Sequence, residues 1–181
     1  CSVFDDAAAP AVEKDYGKPD VIVASSGFTH LENPHAFIDT VLALLADDGR
    51  FIIEVEYIGN ILRHIQFERF YLDRIFYYSL TSLKHLFETH DMVITDVEEI
   101  EPHGGSLQVT VQRTAAKAQP SPRVAALLQD EERTLTTDTL NAFRQNVEAQ
   151  MAAFRDVLAQ HKQAGRRVAG YGAPARVSTI C

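Results

Sequence analysis

Two short apolar runs, Val21–Ala24 and Phe51–Val55, with a helical pattern between them, constrain this chain's fold more than any other feature. Each is near-continuously apolar and bounded by turn residues, as strands covered on both faces are. Over residues 34–46, Phe37, Val41, Leu44 and Leu45 recur at helical spacing, with Asn33 placed as N-cap and Pro34 as the first helical residue. Asp48-Gly49 then turns the chain into the second run. Strand, helix and strand with short joints make a βαβ unit, which predicts an α/β fold, a parallel sheet and a right-handed crossover. The first run gives way to Ser25, Ser26 and Gly27, with His30 close behind. Ligands of open α/β sheets bind beyond the carboxyl ends of strands, where this loop lies.

Further along, Gly59–Gln66 reads as a short helix, and Ser79 or Thr81 can cap a helix through His90 with Leu83, Leu86 and Phe87 inward. Met92–Glu98 and Leu107–Val111 read as strands, most simply an antiparallel pair at the end of the sheet. Between them, Pro102-His103-Gly104-Gly105-Ser106 has adjacent glycines that permit unusual backbone and close approach of a ligand. At the start, residues 1–19 are rich in Ala and Asp and end in the loop signal Gly17-Lys18-Pro19. Ala115–Pro122 has the composition of a linker. Beyond it, Val124–Leu128 and Leu140–His161 are helical. The second carries Phe143, Val147, Met151, Phe154 and Leu158 as one stripe, with Gly165 at its C′ position. Arg167–Gly170 then reads as a fresh strand.

The 46% hydrophobic share is ample for a core. With 25 acidic against 17 basic residues the net charge is -8, which argues against a nucleic-acid partner, since that needs a basic face. No apolar run approaches a membrane span, and no stretch reads as a signal peptide. The two cysteines, Cys1 and Cys181, form neither a metal spacing nor a disulfide framework, so a reducing cytoplasm is the default setting. Cys1 opens no complete element, and Ser178–Cys181 stops inside an apolar pattern without a cap. The chain therefore reads as an internal piece of a longer protein.

Chemistry concentrates in Phe67–Ser79, FERFYLDRIFYYS, where six of thirteen residues are aromatic and Glu68, Arg69, Asp73 and Arg74 lie between them. Apolar walls around a polar ligand have this composition. Tyr71, Asp73 and Arg74 are candidates for proton donor, base or anion clamp. The alternative is an aromatic lid whose charges face water. His30 and His103 sit in loops beside Gly or Ser, as catalytic groups or as solvated residues. The other five histidines show no metal-ligand spacing, so no metal is assigned. Gly170-Tyr171-Gly172-Ala173 after a short apolar run is half of a phosphate-binding fingerprint, with Arg176 in the first turn of the next helix. A plain strand-to-helix turn has the same pattern.

In order along the chain, Val21–Ala24 with His30, Phe51–Ile61 (FIIEVEYIGNI), Phe67–Ser79, His103-Gly104-Gly105-Ser106 and Gly170–Ala175 resemble the sugar C-methyltransferases. Those enzymes act on nucleotide-linked deoxysugars with S-adenosylmethionine (SAM). The resemblance covers nearly the whole chain and rests on five pieces in order rather than on any one.

The resemblance implies a partial Rossmann-like class I methyltransferase sheet, then helices and the start of a second α/β domain. Its divisions are residues 1–114 for the SAM domain, 115–122 for the linker and 123–181 for the nucleotide-sugar domain. It implies that the glycine-rich half of the SAM pocket is missing, so that this piece alone is inactive. Retained SAM contacts are Phe4, Ala24, Ser25, Ser26 and Gly27. His30, Tyr71, Asp73 and Arg74 fall in catalytic positions, and His103, Gly104, Gly105, Gly170, Tyr171, Gly172 and Arg176 in substrate-binding ones.

The sequence departs from the family in three places. Tyr71-Leu72-Asp73-Arg74 replaces Tyr-x-Glu-His, whose His is the favoured base, and an arginine stays protonated at any working pH. Ser26 replaces Asn, and Arg176 replaces Lys. The expected reaction is methylation of the carbon beside a keto group of a nucleotide-linked sugar. A hydroxyl or amine acceptor, or a nucleotide-sugar binding module without turnover, remains as an alternative. The nucleotide, the sugar and the oligomeric state are not legible.

Overall fold

The computed structural model describes residues 8–72 and 74–180. Phe4, Asp73 and both cysteines lie outside them. Among the described residues the chain forms a four-stranded mixed sheet flanked by helices.

The first helix, α1 (Ala8–Tyr16), stands where the sequence shows only loop signals. Pro10 is tolerated because it lies in the first turn, where no helical N–H is needed. Gly17 ends the helix with φ +78°, its N–H on the Glu13 carbonyl at 2.8 Å. Strand β1 (Val21–Ser25) follows, then α2 (Pro34–Leu44), then β2 (Arg50–Glu56). The two strands pair in parallel, from Val21 opposite Arg50 to Ser25 opposite Glu54, as the βαβ reading expects. Asn33 caps α2 by accepting from the Ala36 N–H at 3.1 Å. Ile38, Val41, Leu44 and Leu45 are buried against the sheet.

One expectation for β1 is corrected. It is not covered on both faces: exposure alternates along it, and Val21 and Val23 are half or more exposed. The sheet order is β1, β2, β4, β3, so among the described residues β1 has a ladder on one side only.

After β2 come α3 (Ile58–Arg63), the aromatic stretch, and α4 (Leu80–Glu88). Ser79 caps α4 in a reciprocal box with Ser82. Strands β3 (Met92–Ile100) and β4 (Ser106–Arg113) are antiparallel, and β4 inserts antiparallel beside β2. Phe28, Phe51, Phe87 and Tyr78 form the aromatic centre of the core.

Two helices follow the linker, α5 (Pro122–Thr134) and α6 (Thr137–Gln163). α5 packs on β3 and α4, and its Val124 joins the core of the sheet. Its Glu131 is 2% exposed and accepts from the Leu80 and Thr81 backbone N–H groups, tying α5 to the start of α4. α6 has no buried residue; of its stripe, Phe143 meets Phe70 edge-on at 6.0 Å, and Phe154 is exposed. Residues 166–174 form neither helix nor strand, which corrects the reading of Arg167–Gly170. A strand needs a neighbour to receive its backbone hydrogen bonds, and none of the described residues supplies one there. The short helix α7 (Val177–Ile180) comes next, with Arg176 just before it rather than in its first turn. No helix among the described residues is long and apolar enough to cross a membrane.

Candidate active site

Topology brings three loops to one end of the sheet. β1 and β2 end side by side. β4 runs the opposite way, and its first residue, Ser106, pairs with Glu56 near the end of β2. The segment before β4 therefore returns to the carboxyl end of β2. A cleft of about 150 Å³ opens there. Ser26, Thr29 and His30 line it from the loop after β1, and Glu56 from the end of β2. Tyr71 and Arg74 enter from the aromatic stretch, His103 from the loop before β4, and Arg176 from the turn before α7.

The aromatic stretch is held to the first loop by backbone bonds. The Ile75 and Phe76 N–H groups both donate to the Thr29 carbonyl at 3.3 Å, and Thr29 itself is 2% exposed. Tyr78 bridges to Tyr57, and its carbonyl accepts from the Ile58 N–H at 3.0 Å. The far end of the stretch is tied to α7, where the Thr179 hydroxyl donates to the Phe70 carbonyl at 2.6 Å.

Beneath the cleft lies a buried ion triad. Glu56 is 5% exposed, and its carboxylate sits between Arg74, which donates Nη1 to Oε2, and Arg69, whose Nη1 is 3.2 Å from Oε1. Both arginines are under a tenth exposed, so these charges of the aromatic stretch do not face water. Arg74 also donates Nη2 to the Tyr71 hydroxyl at 3.2 Å, and its guanidinium carbon lies 5.1 Å from the Tyr71 ring centre and 5.9 Å from that of Tyr77. These are cation–π distances. Tyr77 donates its hydroxyl to the Arg69 carbonyl at 3.0 Å, and burial pushes its pKa up, which keeps it a neutral donor.

A second group of polar side chains lines the mouth. Ser26 Oγ and His103 Nε2 are 3.2 Å apart, and the half-buried Glu54 carboxylate takes the Ser25 hydroxyl at 2.6 Å and the Ser26 hydroxyl at 3.5 Å. Glu54 Oε1 is 3.9 Å from His103 Nε2. Ser26 and His103 both have φ +56°, a left-handed backbone that side chains other than glycine rarely adopt.

The remaining sequence candidates sit elsewhere. Gly104 and Gly105, with φ +78° and +116°, lie against protein side chains: a Cβ on Gly104 would collide with the Arg69 guanidinium, and one on Gly105 with the Asn60 amide. Gly170, Tyr171 and Gly172 are exposed and outside the cleft. Ala24 is half-buried in β1 and Gly27 is exposed in the turn after it. The sequence reading passed over Thr29 and Glu56. Glu56 was findable, since a carboxylate at the end of an apolar strand that leads into a ligand loop is unusual. Thr29 carries no signal of its own. His35, His90 and Asp39 form a hydrogen-bonded chain on the outer surface, and no group of three potential ligands among the described residues is arranged to hold a metal.

Comparison with known proteins identifies the family. The family model of the methyltransferase domain matches residues 1–97, and that of the C-methyltransferase C-terminal domain matches residues 101–181. The C-methyltransferase NovU of Streptomyces niveus is 33% identical over 167 residues, 91% of this chain. The chain spans 40% of that relative's length. Among solved structures, a SAM-dependent methyltransferase of Anabaena variabilis aligns with TM-score 0.46 at 14% identity, over 62% of this chain and 56% of that one. The magnesium protoporphyrin IX methyltransferase of Synechocystis, solved with bound SAH, aligns with TM-score 0.40 at 17% identity, over 53% of this chain and 45% of that one. With the methyltransferase domain model matched over more than half of its length, the chain belongs to the methyltransferase family, and its residues 101–181 are similar to the C-methyltransferase C-terminal domain.

Proposed function

We propose that the protein is a SAM-dependent methyltransferase that methylates the carbon beside the keto group of a nucleotide-linked sugar. The observation that carries this reading is the cleft itself, which gathers His30, Tyr71, Arg74 and His103 from three loops around a space the size of a small polar group. The name of the 33% identical relative supports attack from carbon. The nucleotide-sugar acceptor follows from the resemblance set out above.

The turn at Ala24–Gly27 fits one wall of a SAM site. Among the described residues it is at the edge of the sheet, and a Cβ on Gly27 would meet nothing closer than the Ser25 carbonyl at 3.9 Å. The Glu54 carboxylate beside the Ser25 and Ser26 hydroxyls complements a cationic ligand. SAM, when bound, supplies an electrophilic methyl group. The chain's own residues do the rest. His30 or Tyr71 removes the proton from the carbon beside the carbonyl. Arg74 cannot be that base, since its guanidinium is charged and bound to Glu56. It instead faces negative charge, on the enolate oxygen or on an anionic group of the acceptor.

In the full-length protein, Tyr71→Phe and His30→Ala should each lower turnover by roughly 10²-fold or more. Solvent deuterium should enter the acceptor at the carbon beside the carbonyl. Near-wild-type turnover in both variants, or no exchange at that carbon, removes the proton-transfer assignment. Arg74→Ala should lower kcat if Arg74 stabilises the enolate and raise KM if it only clamps an anion.

A further inference from the structure

We infer that Glu56 is a positioning residue for the reaction: it holds Arg74 in the cleft so that its guanidinium faces the acceptor's negative oxygen. The inference rests on the proposed reading of the cleft and adds a residue and a charge arrangement to it. The Glu56 carboxylate lies between two guanidiniums; Arg69 has a second carboxylate, Glu68, 4.0 Å from its Nε, whereas Glu56 is the charged partner of Arg74 among the described residues. Nη1 of Arg74 is fixed by Glu56, Nη2 is on Tyr71, and Nε has no acceptor among the described residues. Nε and Nη1 of Arg69 make no hydrogen bond but face the Glu68 and Glu56 carboxylates at 4.0 and 3.2 Å.

A negative oxygen arriving in the cleft gains most when a cationic donor is already in place. Glu56 supplies that order. Without it two like charges would repel on flexible stems, and Arg74 would lose its only charged partner among the described residues. The roof is built for the same arrangement. Gly104 passes so close to Arg69 that any side chain there would displace the guanidinium.

In the full-length protein, Glu56→Gln should lower kcat about 10²-fold, with KM for SAM within about threefold of wild type. Combined with Arg74→Gln it should be no slower than Arg74→Gln alone, because both changes remove one contribution. Arg74→Lys keeps the charge without the fork and should fall between Arg74→Gln and wild type. Glu56→Asp should recover about tenfold over Glu56→Gln. Losses that multiply in the double variant overturn the inference. If Glu56→Gln does not fold, wild-type kcat in Glu56→Asp and Arg74→Lys together overturns it.

Nitrogen NMR separates this inference from the reaction. The Arg74 Nε–H resonance should be sharp and slow to exchange in wild type and lost in Glu56→Gln. An unchanged resonance overturns the positioning role. A lost resonance in a protein that makes no C-methylated product upholds the positioning and refutes the reaction instead.

Discussion

Ser26 and His103 are 77 residues apart in sequence, yet Ser26 Oγ and His103 Nε2 meet at 3.2 Å across the mouth of the cleft, each on left-handed backbone. Neither is a glycine, so both backbones are strained, and strain of this kind collects at functional sites.

His103→Gly should therefore stabilise the fold while damaging the site. Relief of the left-handed backbone outweighs the extra freedom of the unfolded glycine by about 0.5–1 kcal/mol. The lost side-chain contacts are exposed and contribute little. The urea midpoint should rise and turnover should fall. A lower midpoint contradicts the strain argument.

Glu131→Ala should destabilise the fold by about 2–3 kcal/mol, because a buried carboxylate that satisfies the first turn of α4 is removed. Besides the two backbone bonds, Glu131 Oε2 accepts the Thr81 hydroxyl at 2.6 Å. The loss should show in the melting temperature. An unchanged melting temperature would show that α5 is not held at this point.

Alkaline pH should unfold the protein through Tyr57 and Tyr78. Burial pushes both phenols up, joined for Tyr57 by the nearby Glu131 charge. A raised folded pKa favours the neutral form in the fold. The stability it contributes is whole below the unfolded value of about 10 and is lost as pH climbs through the folded value. In an ultraviolet titration, Tyr57 and Tyr78 should ionise only with unfolding. Ionisation of both in the folded protein near the ordinary value would contradict this.

The βαβ unit was legible because its cues are local. Val21–Ala24 and Phe51–Val55 are apolar runs, and Asn33-Pro34 marks the helix start. The exposure of Val21 and Val23 was not legible, since an apolar run does not say how much of each face is covered. α1 was hidden by Pro10, which local propensity penalises and position in the first turn excuses. The glycines at 170 and 172 read as a turn between strand and helix, but that reading needs a paired strand that the described residues do not form. At the cleft, strand ends and loop order carry the placement of His30 and His103. The Glu56–Arg74 pair follows no local period across its 18-residue separation, and only the folded strand end shows why an arginine sits there.

The position of the transferred methyl group tests the central claim most directly. The full-length protein would be incubated with methyl-labelled SAM and a nucleotide-linked keto sugar, and the product examined by carbon NMR. The account predicts one labelled methyl bonded to the carbon beside the carbonyl. A label on oxygen or nitrogen, or binding of the sugar with no consumption of SAM, would contradict it.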